Sequence, residues 1–226
     1  MKLKNYVPLG ILAALLGAFG MVADEVSEGE TLAFDNSVLL ALRVPGDPAT
    51  PVGPSWVPEA ARDVTALGSF SVLTILVVGV VAFLALIGKR GTALFLTASV
   101  LGGTTVSTLL KALFDRPRPE LTGVAKVFTA SFPSGHATIS AVVYLTLGAI
   151  LAEISASRKL TTFFYSAAAF LSVLVGLSRI YLGVHFPTDV VAGWSIGSAW
   201  ALLCLLIFSA VRAKWADREV IRPSTK

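Results

Sequence analysis

The chain is poor in the residues that usually carry chemistry. It has one cysteine, Cys204, and two histidines, His136 and His185, among 226 residues. A lone cysteine excludes an intramolecular disulfide and a thiolate metal cluster. Lying inside an apolar run, Cys204 reads as a small buried side chain. Charge is scarce as well: 14% of residues are charged against 55% hydrophobic, which excludes an ordinary soluble domain. No internal repeat or low-complexity tract divides the sequence, so residues 1–226 read as a single membrane-embedded domain. There is no basic stripe interleaved with aromatics, and hence no nucleic-acid signal.

What the sequence does have is long apolar runs. Roughly 20 residues of helix cross a hydrocarbon core, and six runs approach that length. They extend from about Tyr6 to Ala23, Phe70 to Gly88, Thr92 to Phe114, Thr138 to Ser155, Thr161 to Ser178 and Thr188 to Val211. The expected fold is all-α, an integral membrane bundle of six transmembrane helices. "MKLKN" followed by the first run also resembles a secretory signal, but Met21 fits the small-x-small cleavage pattern poorly, which favours a retained helix.

Basic residues mark the cytoplasmic ends of spans, and here they alternate. Lys2 and Lys4, Lys89 and Arg90, Arg158 and Lys159, and the group Arg212, Lys214, Arg218, Arg222 and Lys226 fall on one side of a six-span chain. Both termini are therefore expected in the cytoplasm, in a cell (inner or plasma) membrane, with residues 212–226 as a cytoplasmic polar tail. The net charge of +4 then reflects membrane anchoring. The opposite, extracytoplasmic side receives residues 24–69, residues 115–137 and the loop "RIYLGVHFP". The first of these is acidic, and its "VPGDPATPVGPSWVP" is too rich in Pro and Gly for regular structure. It reads as a solvated outer loop, or as one whose "FDNSVLLALRV" lies in the membrane interface and shapes substrate access.

Ionisable groups near span ends are costly and invite a functional explanation. Three clusters fall on the extracytoplasmic side. In "KALFDRPRP", Lys111 precedes Arg118 by seven residues, about two helical turns, and Pro117 and Pro119 should end the helix. Two cations there suit a phosphate; alternatively Lys111 snorkels while Arg118 pairs with Asp115 or Glu120. In "SFPSGHATIS", Ser134, Gly135 and His136 open an apolar run, where free backbone N–H groups bind anions; alternatively Ser134 is an ordinary N-cap. In "SRIYLGVHFPTD", Asp189 follows His185 by four residues. Its carboxylate can accept a hydrogen bond from one ring N–H, fixing the tautomer so that the other nitrogen is free as nucleophile or base; alternatively it caps the sixth span. The topology brings all three clusters, and both histidines, to one membrane face.

Lys111, six residues, then Arg118-Pro119; "PSGH" at 133–136; and Ser178-Arg179, five residues, His185, three residues, Asp189: this pattern closely resembles the three-part signature of the type 2 phosphatidic acid phosphatase superfamily, in its bacterial membrane branch. The resemblance implies that His185 is the nucleophile attacking phosphorus, Asp189 its orienting partner, and His136 the acid that protonates the leaving oxygen and then activates water. It also implies that Lys111, Arg118, Ser134, Gly135 and Arg179 surround the phosphoryl oxygens. No cofactor is expected, and no cluster of metal ligands is found, so activity should persist in EDTA. The implied substrate is a membrane lipid phosphate: undecaprenyl diphosphate, phosphatidate or phosphatidylglycerol phosphate. A lipid phosphotransferase using the same residues and a non-catalytic lipid-phosphate-binding protein are the alternatives, with the soluble haloperoxidase branch disfavoured by the spans. "GWSIGSAW" in the sixth run suits close helix packing.

Overall fold

A computed structural model of the chain describes residues 6–121, 129–155 and 157–221, with side chains as far as residue 214. Lys2, Lys4, Arg222 and Lys226 lie outside these residues. The elements are α1 (Val7–Glu28), α2 (Leu32–Ala41), β1 (Arg43–Val44), β2 (Asp47–Pro51), α3 (Trp56–Ala66), α4 (Phe70–Leu86), α5 (Arg90–Phe114), α6 (Gly135–Ile154), α7 (Arg158–Tyr181) and α8 (Pro187–Ile221). Helices α1, α5, α6, α7 and the Pro187–Lys214 part of α8 are long and apolar enough to cross a membrane. The pair α3 and α4, bent by 42°, is long and apolar enough together to make a sixth if it is counted as one span.

Local chemistry explains where the helices begin and end. Gly29 closes α1 at φ +77°, with the N–H of Gly29 bonded to Val26 and that of Glu30 to Glu25, a left-handed cap that glycine adopts freely. The Ser69 hydroxyl accepts from the Val72 N–H and starts α4, as an N-cap serine does. Helix α5 stops at Phe114, three residues before Pro117, because a proline disfavours helical geometry in itself and in the residue before it.

Helix α6 is the centre of the bundle, packed against α5, α7 and α8, with α1 laid along α8. Glycines set the closest crossing: a Cβ on Gly193 would lie 2.8 Å from the Ser134 carbonyl oxygen, and one on Gly197 2.5 Å from that of Thr138. "GWSIGSAW" thus serves helix packing within the chain, as small residues do in membranes. The tryptophans of the same stretch donate across helices, Trp194 to the Ser172 carbonyl and Trp200 to that of Ser99, while Ser99 pairs with Thr146. Outward-facing Ile75, Leu86, Leu94 and Leu113 are largely exposed, as a lipid-facing surface requires.

Two expectations are corrected. The Pro- and Gly-rich stretch is ordered: β1 and β2 pair antiparallel, the turn uses Gly46 at φ +84°, and the Asp47 carboxylate accepts from Ala49 N–H and the Thr50 hydroxyl. Pro58 then falls in the first turn of α3, where a missing N–H costs nothing. The segment 24–69 is not wholly solvated, since Asp35 is fully buried and Arg43 nearly so. In addition, α8 runs on into the polar tail as far as Ile221, because "RAKWADREV" consists largely of strong helix formers.

Candidate active site

The first cluster is shaped by the break after α5. Asp115 takes a left-handed conformation, φ 40°, and the chain leaves α5 through Arg116-Pro117-Arg118-Pro119. Lys111, still in the last turn of α5, donates to the Ala130 carbonyl at 2.6 Å and the Ser131 carbonyl at 3.5 Å. A Cβ on Gly135 would sit 3.4 Å from Lys111 Cε, so the lysine stem lies against the start of α6. It does not snorkel away. Arg118 does not pair with Asp115 or Glu120 either: it donates to the carbonyl and hydroxyl of Thr129, to the Val184 carbonyl at 2.8 Å, and to His185 Nε2 at 3.2 Å.

The second cluster is fastened to α8. The Ser134 N–H donates to the Asp189 carbonyl at 2.9 Å. Ser134 stands at the N-cap position of α6, yet its hydroxyl makes no cap bond; the Oγ is buried without a partner among the described residues. His136 follows in the first turn, partly buried, within electrostatic reach of Arg179, His185, Arg118 and Lys111.

In the third cluster, Arg179 closes α7. Its Nη1 donates to the Thr65 hydroxyl at 3.1 Å, while its Nε, like the Ser134 hydroxyl, is buried and unpartnered among the described residues. His185 is 1% exposed. Its Nδ1 lies 3.3 Å from the Ser131 hydroxyl and 3.4 Å from Asp189 Oδ2. Burial holds the imidazole well below its ordinary value, with the hydrogen bond and charge of Asp189 opposing. Burial disfavours the cationic form, which is the dominant effect here.

Asp189 makes two kinds of contact through one carboxylate oxygen. Oδ2 accepts from the Phe186 N–H at 2.9 Å, closing the start of α8, and also from the Ser131 hydroxyl. A carboxylate three residues into a helix reaching back to the N-cap N–H is half of a capping box. The same oxygen faces His185 Nδ1 at 3.4 Å, so the helix-capping contact and the histidine contact share one atom. Oδ1 is held by Arg116 at 2.6 Å.

The structure therefore brings together all eight residues singled out from sequence: Lys111, Arg118, Ser134, Gly135, His136, Arg179, His185 and Asp189. It adds Ser131, Thr129 and Thr65, small polar residues with no distinguishing pattern, and the buried group Arg116, Asp35 and Thr31 with the partly buried Thr188. Arg116 had a visible signal, an arginine beside a proline just past a span. Its partner Asp35, 81 residues earlier, had none.

This is a cation-lined site at one end of a membrane helix bundle, built around an imidazole backed by a carboxylate. The family model described as the PAP2 superfamily matches residues 92–213, which contain all eight residues. The chain is 33% identical over 161 residues to phosphatidylglycerophosphatase B of Bacillus subtilis, covering 70% of this chain and 74% of that protein. It is 37% identical over 79 residues to an undecaprenyl-diphosphatase of Sulfolobus acidocaldarius, covering 35% of this chain and 34% of that one. A crystal structure of a transmembrane PAP2-type phosphatidylglycerolphosphate phosphatase from Bacillus subtilis superposes with a TM-score of 0.79 at 26% identity, over 91% of this chain and 98% of that one. The chain belongs to the PAP2 superfamily, a hydrolytic family, and these three relatives are all phosphatases.

Proposed function

We propose that the chain is a lipid-phosphate phosphatase that works from the extracytoplasmic face through a phosphohistidine at His185. The observation that carries this is the setting of the imidazole: Nε2 faces Arg118 at 3.2 Å while Nδ1 backs onto Asp189 at 3.4 Å.

In the first step, His185 Nε2 attacks phosphorus and the bond from phosphorus to the lipid oxygen breaks. His136 gives its proton to that oxygen, which leaves as a lipid alcohol or, from a diphosphate, as the monophosphate. In the second step, His136 takes a proton from water, the resulting hydroxide attacks phosphorus, and the bond to His185 breaks to release phosphate. Lys111, Arg118 and Arg179, with the Ser134 hydroxyl and Gly135 N–H, stabilise charge on the equatorial oxygens. Ser134 Oγ and Arg179 Nε, unpartnered among the described residues, are donors suited to this task. The donor set is cationic and needs no divalent ion to neutralise phosphate.

The distribution of charge along the helices supports the assignment of sides. Arg90 and Lys111 stand 21 residues apart on α5, as do Arg158 and Arg179 on α7, about 31 Å of helix and close to a hydrocarbon thickness. Basic span ends at Arg90, Arg158 and Arg212 therefore lie opposite the site, as cytoplasmic ends should. The relatives' names make phosphatidylglycerol phosphate and undecaprenyl diphosphate the substrates to try first, with phosphatidate third.

The test is phosphate release by the purified protein in EDTA with each lipid, against His185→Ala. Release that is lost in the variant supports the proposal. Release by the variant at the wild-type rate, a phosphorylated acceptor in place of free phosphate, or no turnover of any of the three lipids would count against it.

A further inference from the structure

Beneath the site lies a buried ion network that the proposed mechanism does not use. Arg116 Nη1 donates to Asp189 Oδ1 at 2.6 Å and to the Thr188 hydroxyl at 2.9 Å. Its Nη2 donates to Asp35 Oδ2 at 2.8 Å and to the Thr31 hydroxyl at 3.1 Å. The guanidinium also lies over the Phe186 ring, 4.4 Å from its centroid. Asp35 and Asp189 are 0% exposed and Arg116 7%. Asp35 further accepts from the Thr188 N–H at 3.1 Å and the Thr188 hydroxyl at 2.6 Å, so it caps the first turn of α8 from outside that helix.

We propose that Arg116, clamped by Asp35, is a positioning residue that sets the orientation of Asp189 against His185, so that α2, from the segment between the first two spans, buttresses the catalytic dyad. This rests on the proposed role of His185.

Three observations separate positioning from direct phosphate binding. Both Nη atoms of Arg116 are engaged, its face is covered by Phe186, and it grips Oδ1, whereas His185 is faced by Oδ2. A carboxylate in a helix's first turn can rotate about its own bonds. Gripping one oxygen with a planar guanidinium, itself gripped at the other end by Asp35, fixes the direction of the second oxygen. Two buried carboxylates flank one arginine, and loss of that arginine would leave both uncompensated. Asp35 lies outside the residues matched to the family, 92–213, so the buttress joins the segment before the second span to the family's core.

The experiment measures phosphate release from phosphatidylglycerol phosphate by the full chain for Arg116→Gln, Arg116→Lys and Asp35→Asn. Each is made in the wild-type and the Asp189→Asn backgrounds, with His185→Ala alongside. Arg116→Gln should lower kcat about 10- to 100-fold with KM within about 3-fold, since an interaction felt in the transition state is lost. In the Asp189→Asn background the same change should cost less than about 3-fold, because coupled residues are non-additive. Arg116→Lys should recover part of the loss. Equal losses in both backgrounds, or wild-type kcat in folded Arg116→Gln and Asp35→Asn proteins, would overturn the proposal. If Arg116→Gln does not purify as a folded protein, the isosteric Asp35→Asn carries the same two-background comparison. An active His185→Ala would instead sink the functional reading, and this inference with it; a silent His185→Ala beside a normal Arg116→Gln sinks this inference alone.

Discussion

Arg118 Nη1 stands 3.2 Å from His185 Nε2. A guanidinium has donors and no lone pair, so in this contact Nε2 must accept. The ring proton then sits on Nδ1, within reach of Asp189 Oδ2 and the Ser131 hydroxyl. That is the tautomer an attacking Nε2 needs, and it follows from the arginine as much as from the aspartate.

Because Arg118 holds Thr129 and Val184 while facing His185, its fork matters as well as its charge. Arg118→Lys should lower kcat/KM by at least about 10-fold, since an ammonium cannot span those partners. His185→Ala should lose essentially all turnover, on the order of 10⁴-fold or more for a nucleophile. Steady-state phosphate release measures both; an Arg118→Lys enzyme with unchanged kcat/KM would show that charge alone suffices.

His136→Ala is expected to spare substrates that need no leaving-group proton. The loss should be large with an alkyl phosphate lipid and about 10-fold or more smaller with an aryl phosphate of low leaving-group pKa. Equal losses on the two substrates would remove His136 from the acid role.

Asp189→Asn keeps the shape of the side chain but loses its charge. With Arg116 and the Phe186 N–H on the same carboxylate, the variant should lose about 10² to 10⁴ in kcat. It should also melt earlier than the wild type in detergent, because the buried Arg116 loses one of two counterions. A variant that melts earlier but turns over normally would leave Asp189 as a helix cap only.

Which parts were legible in the sequence follows from what each signal encodes. The spans were readable because length and apolarity alone define them. The eight candidate residues that the fold gathers were readable because Lys111, His136 and His185 are chemically conspicuous beside prolines and glycines at span ends. Asp35 was hidden by its neighbours: it sits among Asp24, Glu25, Glu28 and Glu30 in a stretch whose composition suggests solvent. Only the tertiary fold, which lays α2 against the start of α8, distinguishes it. The order of residues 44–58 was hidden in the same way, since Pro and Gly counts do not show that Asp47 and Gly46 cooperate in a turn.

Acid should weaken the fold through His185. Burial lowers its folded-state value below the ordinary value of about 6.5 kept by the unfolded chain. The unfolded chain therefore binds more protons as pH falls below that value, and stability rises with pH there. The contribution is fully present above about pH 6.5 and is withdrawn as pH drops toward the lowered folded value. Melting midpoints in detergent should fall between pH 7 and 5 more steeply for the wild type than for His185→Ala (about pH values, set by the ordinary histidine range). Parallel slopes would mean that His185 is not held neutral.

Gly193 ties the candidate site to helix packing. A Cβ there would lie 2.8 Å from the Ser134 carbonyl oxygen and 2.9 Å from Ala137 Cβ, both on or beside the first turn of α6. Neither is the free end of a flexible side chain, so α6 itself must move. Gly193→Ala should cost about 1–3 kcal/mol, as overpacking does. It should also lower turnover, because the displaced backbone carries Ser134, Gly135 and His136. Gly197→Ala also meets backbone, 2.5 Å from the Thr138 oxygen, but one turn farther from the site. It should destabilise comparably while affecting kcat less. Melting curves and phosphate release on the two variants separate the effects: a Gly193→Ala enzyme as active as Gly197→Ala would show that the start of α6 tolerates displacement, and that placing Ser134, Gly135 and His136 does not depend on this crossing.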